Sequence, residues 1–313
     1  MTGLWDFFSD YTLRNVLLGT LLLGLGSGLV GSFALLRRQS LLGDAVSHAA
    51  LPGIIIAFML TGTKTTPVLL VGATISGLIG TLIILLVIRT TKIDTDGAQG
   101  IVLGVFLGFG FLLLTHVQKS PNAAKAGLDK FIFGQAATIM SADVITIFVV
   151  ELFITCFIFL FWKELKITTF DPDFSAVQGF SPKLIELVLT ALIVLAIVIG
   201  VQSVGVILMS ALLIAPAAAA RQWTDRLSTL CILSALFGAF SGVSGSIIST
   251  RVPKLSTGPV IVLILTGIAV ISLICSPRRG VLERIIRQYA IRSKTKKRKT
   301  EEAASSAAAL RGK

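Results

Sequence analysis

From Asn15 to Ser276 the chain is a succession of apolar runs separated by short clusters of charge. Most of these runs approach the roughly 20 residues that carry a helix across a bilayer core. In lipid every peptide group must find its partner within a helix or a closed barrel, so runs of this length leave the backbone few alternatives. The candidate spans are Asn15 to Leu36, Leu41 to Gly62, Pro67 to Ile88, Gly97 to Val117, Ala142 to Trp162, Leu184 to Gly200, Gly205 to Ala220, Leu227 to Ile248 and Pro259 to Ser276. The fold class is therefore all-α, a polytopic helical membrane protein of about eight to nine transmembrane helices. The count turns on VQSVG, Val201 to Gly205, where the chain either crosses twice or forms one broken or re-entrant element. Only 14% of the residues are charged, against roughly 25% in soluble domains, which excludes a soluble globular protein.

The formal net charge of +12 lies unevenly along the chain. Residues 1–277 read as the membrane domain, and 278–313, with KTKKRKTEE, as a basic, solvated and disordered tail. The positive-inside rule puts that tail in the cytoplasm. Alternation then puts Arg37, Arg38, Arg89, Lys92, Lys163, Lys166, Arg221 and Arg226 on the same side, and a nine-span count puts the N-terminus outside. Lys119, Lys125, Lys130, Arg251 and Lys254 fall outside against the trend. Contact with anionic membrane lipid accounts for the tail better than nucleic acid does. The first residues, MTGLWDFFSDYTLRN, lack the basic region and cleavage site of a removable signal peptide.

Small residues recur at four-residue spacing, at Gly24 and Gly28, at Gly72, Ser76 and Gly80, and at Gly100, Gly104 and Gly108. Such a stripe lets two helix backbones approach closely, so these positions are expected at helix contacts. Cys156, Cys231 and Cys275 lie far apart inside apolar runs and read as core residues rather than ligands. Two hydrophilic stretches exceed simple turns. Lys119 to Thr138 reads as an amphipathic cap on the outer surface. Lys163 to Lys183 carries a helix start at Asp171 and Pro172, predicting a short cytoplasmic helix near 170–182 that could dock a partner.

The stretch RRQSLLGDAVSHAALPG brings two ionisable residues into an apolar span. Asp44 and His48 are four apart, about 400° of helical turn, and so share one face. A charge inside a membrane helix costs about 2.5–3.5 kcal/mol on insertion scales and usually marks an ion path or proton relay. Pro52 cannot donate to the carbonyl four residues back, which frees the carbonyl of His48. A carboxylate, an imidazole and a free carbonyl make a partial site for a divalent cation such as Mn²⁺ or Zn²⁺. Glu151, near the middle of its span, reads equally as a protonated packing residue or a second path residue. His116 reads as an interface residue and Met209 as core, while Ser210 could line a path.

No GxxxxGK[ST] loop occurs, so ATP-driven work would need another chain and the protein itself is not read as an enzyme. GVSG, Gly242 to Gly245, resembles the nucleophile turn of rhomboid intramembrane proteases. In that family the histidine follows the serine, whereas His48 and His116 both precede it, so an intramembrane serine protease is a remote alternative.

At GDAVSHAALPG the sequence resembles the permease subunits of the bacterial zinc, manganese and iron ABC importers, the ABC-3 family. NAAKAGLDKFIFGQAA, LKITTFDPDFSAVQG, SALLIAPAAAARQW and SALFGAFSGVSGSIISTRVPKLSTGPVIVL extend the resemblance over most of Leu35 to Ile264. The outer loop is more similar to the manganese and iron branch, while His116 and the long tail depart from the family pattern. The resemblance implies an ABC importer permease in the bacterial inner membrane, with no permanently bound cofactor and a transported Mn, Fe or Zn ion. It implies as partners an ATP-binding ABC subunit, an extracytoplasmic metal-binding protein and a second permease, identical or paralogous. By the same resemblance Asp44 and His48 match the path motif, and Asp171, Pro172, Asp173, Phe174 and Gly179 fall in the coupling element. An ion-coupled secondary transporter, with Glu151 as its proton site, is the alternative.

Overall fold

The computed structural model describes residues 11–39, 41–63, 65–119, 139–252, 255–277 and 280. The expected outer cap over Lys119 to Thr138 and the tail lie almost wholly outside them. Among the described residues the chain forms α1 (Tyr11–Leu36), α2 (Leu42–Thr61), α3 (Thr66–Thr90), α4 (Thr95–Gln118), α5 (Ser141–Leu160), α6 (Trp162–Phe170), α7 (Pro172–Val177), α8 (Pro182–Val204), α9 (Val206–Trp223), α10 (Leu227–Arg251) and α11 (Thr257–Cys275). Nine of these, all but α6 and α7, are long and apolar enough to cross a membrane. Each corresponds to one expected span. The joint at VQSVG is a break at Gly205, whose φ of 90° only glycine adopts readily. The turn there is sharp enough for Met209 to pack against Gly200, and α8 and α9 each have spanning length.

The hydrophilic stretch after α5 folds differently from its expected single helix. The chain breaks at Phe161 and resumes as α6, ahead of the helix start expected at Asp171. Asp171 then caps α7, its carboxylate accepting a hydrogen bond from the Phe174 amide at 2.9 Å. Helix α7 ends at Val177 rather than near 182, because Gly179 turns left-handed (φ 87°) and Ser181 and Pro182 open α8.

Small residues set how closely the helices pack. A side-chain carbon on Gly24 of α1 would lie 2.7 Å from the Ala239 nitrogen of α10. Ser234 of α10 donates to the Gly28 carbonyl at 2.7 Å, and Thr20 and Ser246 pair at 3.0 Å. The order of these contacts makes α1 and α10 antiparallel. Gly72 and Ser76 likewise seat α3 against α2, with Ser76 donating to the Ala49 carbonyl at 2.6 Å. The third stripe departs from expectation: Gly100, Gly104 and Gly108 face nothing within 4 Å among the described residues. The cysteines depart in part, since Cys231 is buried whereas Cys156 and Cys275 are exposed. Their helices turn apolar faces outward there, with Phe153 and Leu152 on α5 and Ile271 and Ile274 on α11 exposed. Such faces suit contact with lipid chains, so an apolar run does not by itself imply a protein core.

Hydrogen bonds and ion pairs sort the helix ends into two groups. Tyr11 bonds Ser141, Thr66 donates to Asp143, and Gln202 donates to the Thr66 carbonyl, which gathers the starts of α1, α3 and α5 and the end of α8. At the opposite end a cleft brings together Arg37, Thr168, Pro172 and Glu186, and Arg89 pairs with Glu186. Because α10 runs antiparallel to α1, Arg226 lies at the Arg37 end as well. Ser276 donates to the Gln222 carbonyl, so the chain also leaves α11 at that end.

Candidate functional site

Asp44 and His48 stand on the first two turns of α2. Leu42, Gly43, Ala45, Val46, Ser47, Ala49 and Ala50 around them are all buried, whereas Asp44 and His48 remain half-exposed. The two therefore form a polar stripe on the open side of an otherwise sealed helix, as their four-residue spacing requires. They interact electrostatically. Asp44 lies in the first turn, where free backbone amides favour a carboxylate.

The surrounding walls are thin. The Cβ position of Gly43 lies 3.6 Å from the Ser210 Cα on α9, so Ser210 borders the Asp44 turn. Met209 is fully buried, and its thioether packs against Gly200 as core. Ala49 packs against Gly80, and Val46 against Gly77, which brings α2 close to α3 and α8. Pro52 sits inside α2, so the carbonyl of His48 lacks its usual helical donor. Asp44 and His48 supply one oxygen-type and one nitrogen-type ligand, compatible with Mn²⁺, Fe²⁺ or Zn²⁺.

Glu151 stands apart. It is 4% exposed, neither carboxylate oxygen has a hydrogen-bond partner among the described residues, and the group fills a notch left by Gly26 of α1. Among the described residues no three His, Cys, Asp or Glu side chains come together, so Glu151 does not join Asp44 and His48 in this chain. His116 is exposed on the last turn of α4. GVSG lies inside the unbroken α10 rather than at a turn.

The segment expected to couple to an ATPase is a small, stiff projection. Thr168 and Ser175 share a buried hydrogen bond of 2.9 Å that ties α6 to α7. Phe174 and Val177 remain exposed on α7, at 50% and 84%. Phe180 instead lines an apolar cavity of about 360 Å³ with Phe157, Phe161 and Leu184. Sequence pattern missed the polar cleft beneath this projection. Its one available signal was Glu186, an acid within the apolar run from Leu184.

The family model of the ABC 3 transport family matches residues 9–276. The chain belongs to this family. It is 72% identical over 288 residues to the zinc transport system membrane protein TroC of Treponema pallidum, covering 92% of this chain and 97% of that protein. It is 45% identical to the manganese transport system membrane protein MntC of Bacillus subtilis, covering 94% of this chain and 67% of that one. A solved structure, PsaBC from Streptococcus pneumoniae in complex with Fab, superposes with a TM-score of 0.78 at 32% identity, over 91% of this chain and 98% of that chain. The similar proteins thus carry the names of two metals, zinc and manganese, where the outer loop alone suggested manganese or iron.

Proposed function

We propose that this ABC 3 family chain is the membrane permease of an ATP-driven importer for a divalent first-row transition metal, zinc, manganese or iron, working by alternating access. The observation that carries this reading is the Asp44 and His48 stripe, two metal-type ligands on the half-open face of a buried helix. Two ligands hold a metal loosely, which suits transport, where the ion must leave as readily as it enters. A second permease facing the first would complete the coordination sphere, and the open glycine stripe on α4 leaves a surface for such a neighbour. An extracytoplasmic binding protein would deliver the ion and carry part of the selectivity. An ATP-binding subunit would dock at Phe174 and Val177.

The basic residues at the Arg37 end support a cytoplasmic assignment for that face, which also holds α6 and α7 and the exit of the chain after Ser276. The membrane would then be the bacterial inner membrane, with the tail inside. The buried, unpartnered carboxylate of Glu151 favours one second reading, an ion-coupled secondary carrier. Reconstitution into vesicles separates the two. The permease with its ATP-binding subunit is expected to take up metal only when ATP is supplied, and uptake by the permease alone, driven by a proton gradient, would establish the carrier.

A further inference from the structure

The cleft at the Arg37 end has about 200 Å³ of open volume and lies between the α6–α7 projection and the turn that leads into α2. Thr168, Thr169 and Pro172 form its outer wall and Arg37 and Gln39 its inner one. Glu186, at the start of α8, reaches in from a third element. Among the described residues Glu186 makes one ion pair, to Arg89 Nη2 at the end of α3, at 3.7 Å. It also attracts Arg37 electrostatically, although burial penalises that guanidinium's charge and pushes its pKa down. An arginine nevertheless stays charged at any physiological pH, so Arg37 holds a charge in the cleft that, among the described residues, no close ion pair meets. Gln39 also lines the cleft, and among the described residues its buried Oε1 has no donor.

The inner wall adjoins the start of α2. Arg38 takes a left-handed φ of 57°, and the turn is pinned by Arg38 N–H to the Leu35 carbonyl at 3.1 Å and Gln39 N–H to the Ala34 carbonyl at 3.0 Å. Leu42 N–H then donates to the Gln39 carbonyl at 3.3 Å, and Asp44 follows two residues later. Gln39 is thus bonded to the end of α1 on one side and to the first turn of α2 on the other, so a shift of the cleft wall can reach the Asp44 turn.

We propose that Glu186 is a positioning residue for transport, exchanging its partner from Arg89 to Arg37 as the cleft closes and so passing motion of the α6–α7 projection to the Asp44 turn. This rests on reading the chain as an ATP-driven permease. The unmet charge of Arg37 and the unmet acceptor of Gln39 are what closure would satisfy, since arginine can donate to a carboxylate and an amide oxygen together. The open and closed clefts then differ in which guanidinium holds Glu186, which makes two discrete arrangements rather than a continuum.

The test uses the permease assembled with its ATP-binding subunit in vesicles, measuring uptake, ATP hydrolysed per ion and metal binding. Glu186→Gln is expected to lower uptake about three- to tenfold and raise ATP consumed per ion, with metal binding and basal ATP turnover unchanged. Arg37→Gln should match it, the double variant should be no worse than either, and Glu186→Asp should recover most of the uptake. Glu186→Gln with wild-type uptake and stoichiometry overturns the proposal. So does a loss that merely follows a lower yield of assembled complex, with normal transport per complex. Uptake by the wild-type protein without ATP overturns both this proposal and the permease reading, whereas ATP-dependent uptake unaffected by Glu186→Gln removes this proposal alone.

Discussion

Single residues fix the closest helix contacts, and glycine at 24 is the clearest case. Any side chain there strikes the α10 backbone at Gly238 and Ala239 rather than a side chain that could move aside. Gly24→Val is expected to destabilise the folded protein by about 1–3 kcal/mol through overpacking. Thermal unfolding in detergent checks this, and an unchanged midpoint would mean that α1 and α10 are less tightly held. The spacing of Gly24 and Gly28 was legible in the sequence, but the identical spacing of Gly100, Gly104 and Gly108 leads to open space. Spacing defines a face and leaves its neighbour unspecified, so the two stripes read alike until the fold is known. Asp44 and His48 were legible for a different reason: ionisable groups in an apolar run are costly enough to stand out singly. Glu186 was hidden because a charge at the edge of a span reads as an ordinary boundary residue.

At the scale of elements, hydropathy located the nine long helices because the bilayer sets their length. The short helices outside the apolar runs obey no such rule. Helix α6 was not foreseen, since WKELKITTF has neither an apolar stripe nor a strong start signal. Helix α7 was foreseen from Asp171 and Pro172 but runs shorter than expected, because its stop depends on the left-handed Gly179. The two phenylalanines near it also differ in role. Phe174 is exposed, while Phe180 lines an apolar cavity with Phe157, Phe161 and Leu184. Phe174→Ser with Val177→Ser should therefore leave the permease folded yet lower metal-stimulated ATP turnover of the assembled complex about tenfold, as loss of an interface anchor does. Turnover at the wild-type level would take α7 out of the coupling path.

In the whole molecule, the proposed function would have α2 join the two tasks of a transporter. Its open face carries Asp44 and His48, and its first turn is tied through Arg37 and Gln39 to the cleft beneath the α6–α7 projection. Metal binding requires a neutral imidazole and an ionised carboxylate, so acid should weaken it as the ligands take up protons. On the proposed reading the ion passes by way of Asp44 and His48, and the direct test is metal uptake by Asp44→Asn in the assembled, ATP-supplied complex. The substitution keeps the shape of the side chain and removes its charge, so assembly should be normal and uptake should fall to background. His48→Ala should behave alike, and the double variant should be no worse, because losing one ligand already breaks a shared site. Uptake by assembled Asp44→Asn at the wild-type rate would contradict the claim and leave the pair as a packing contact.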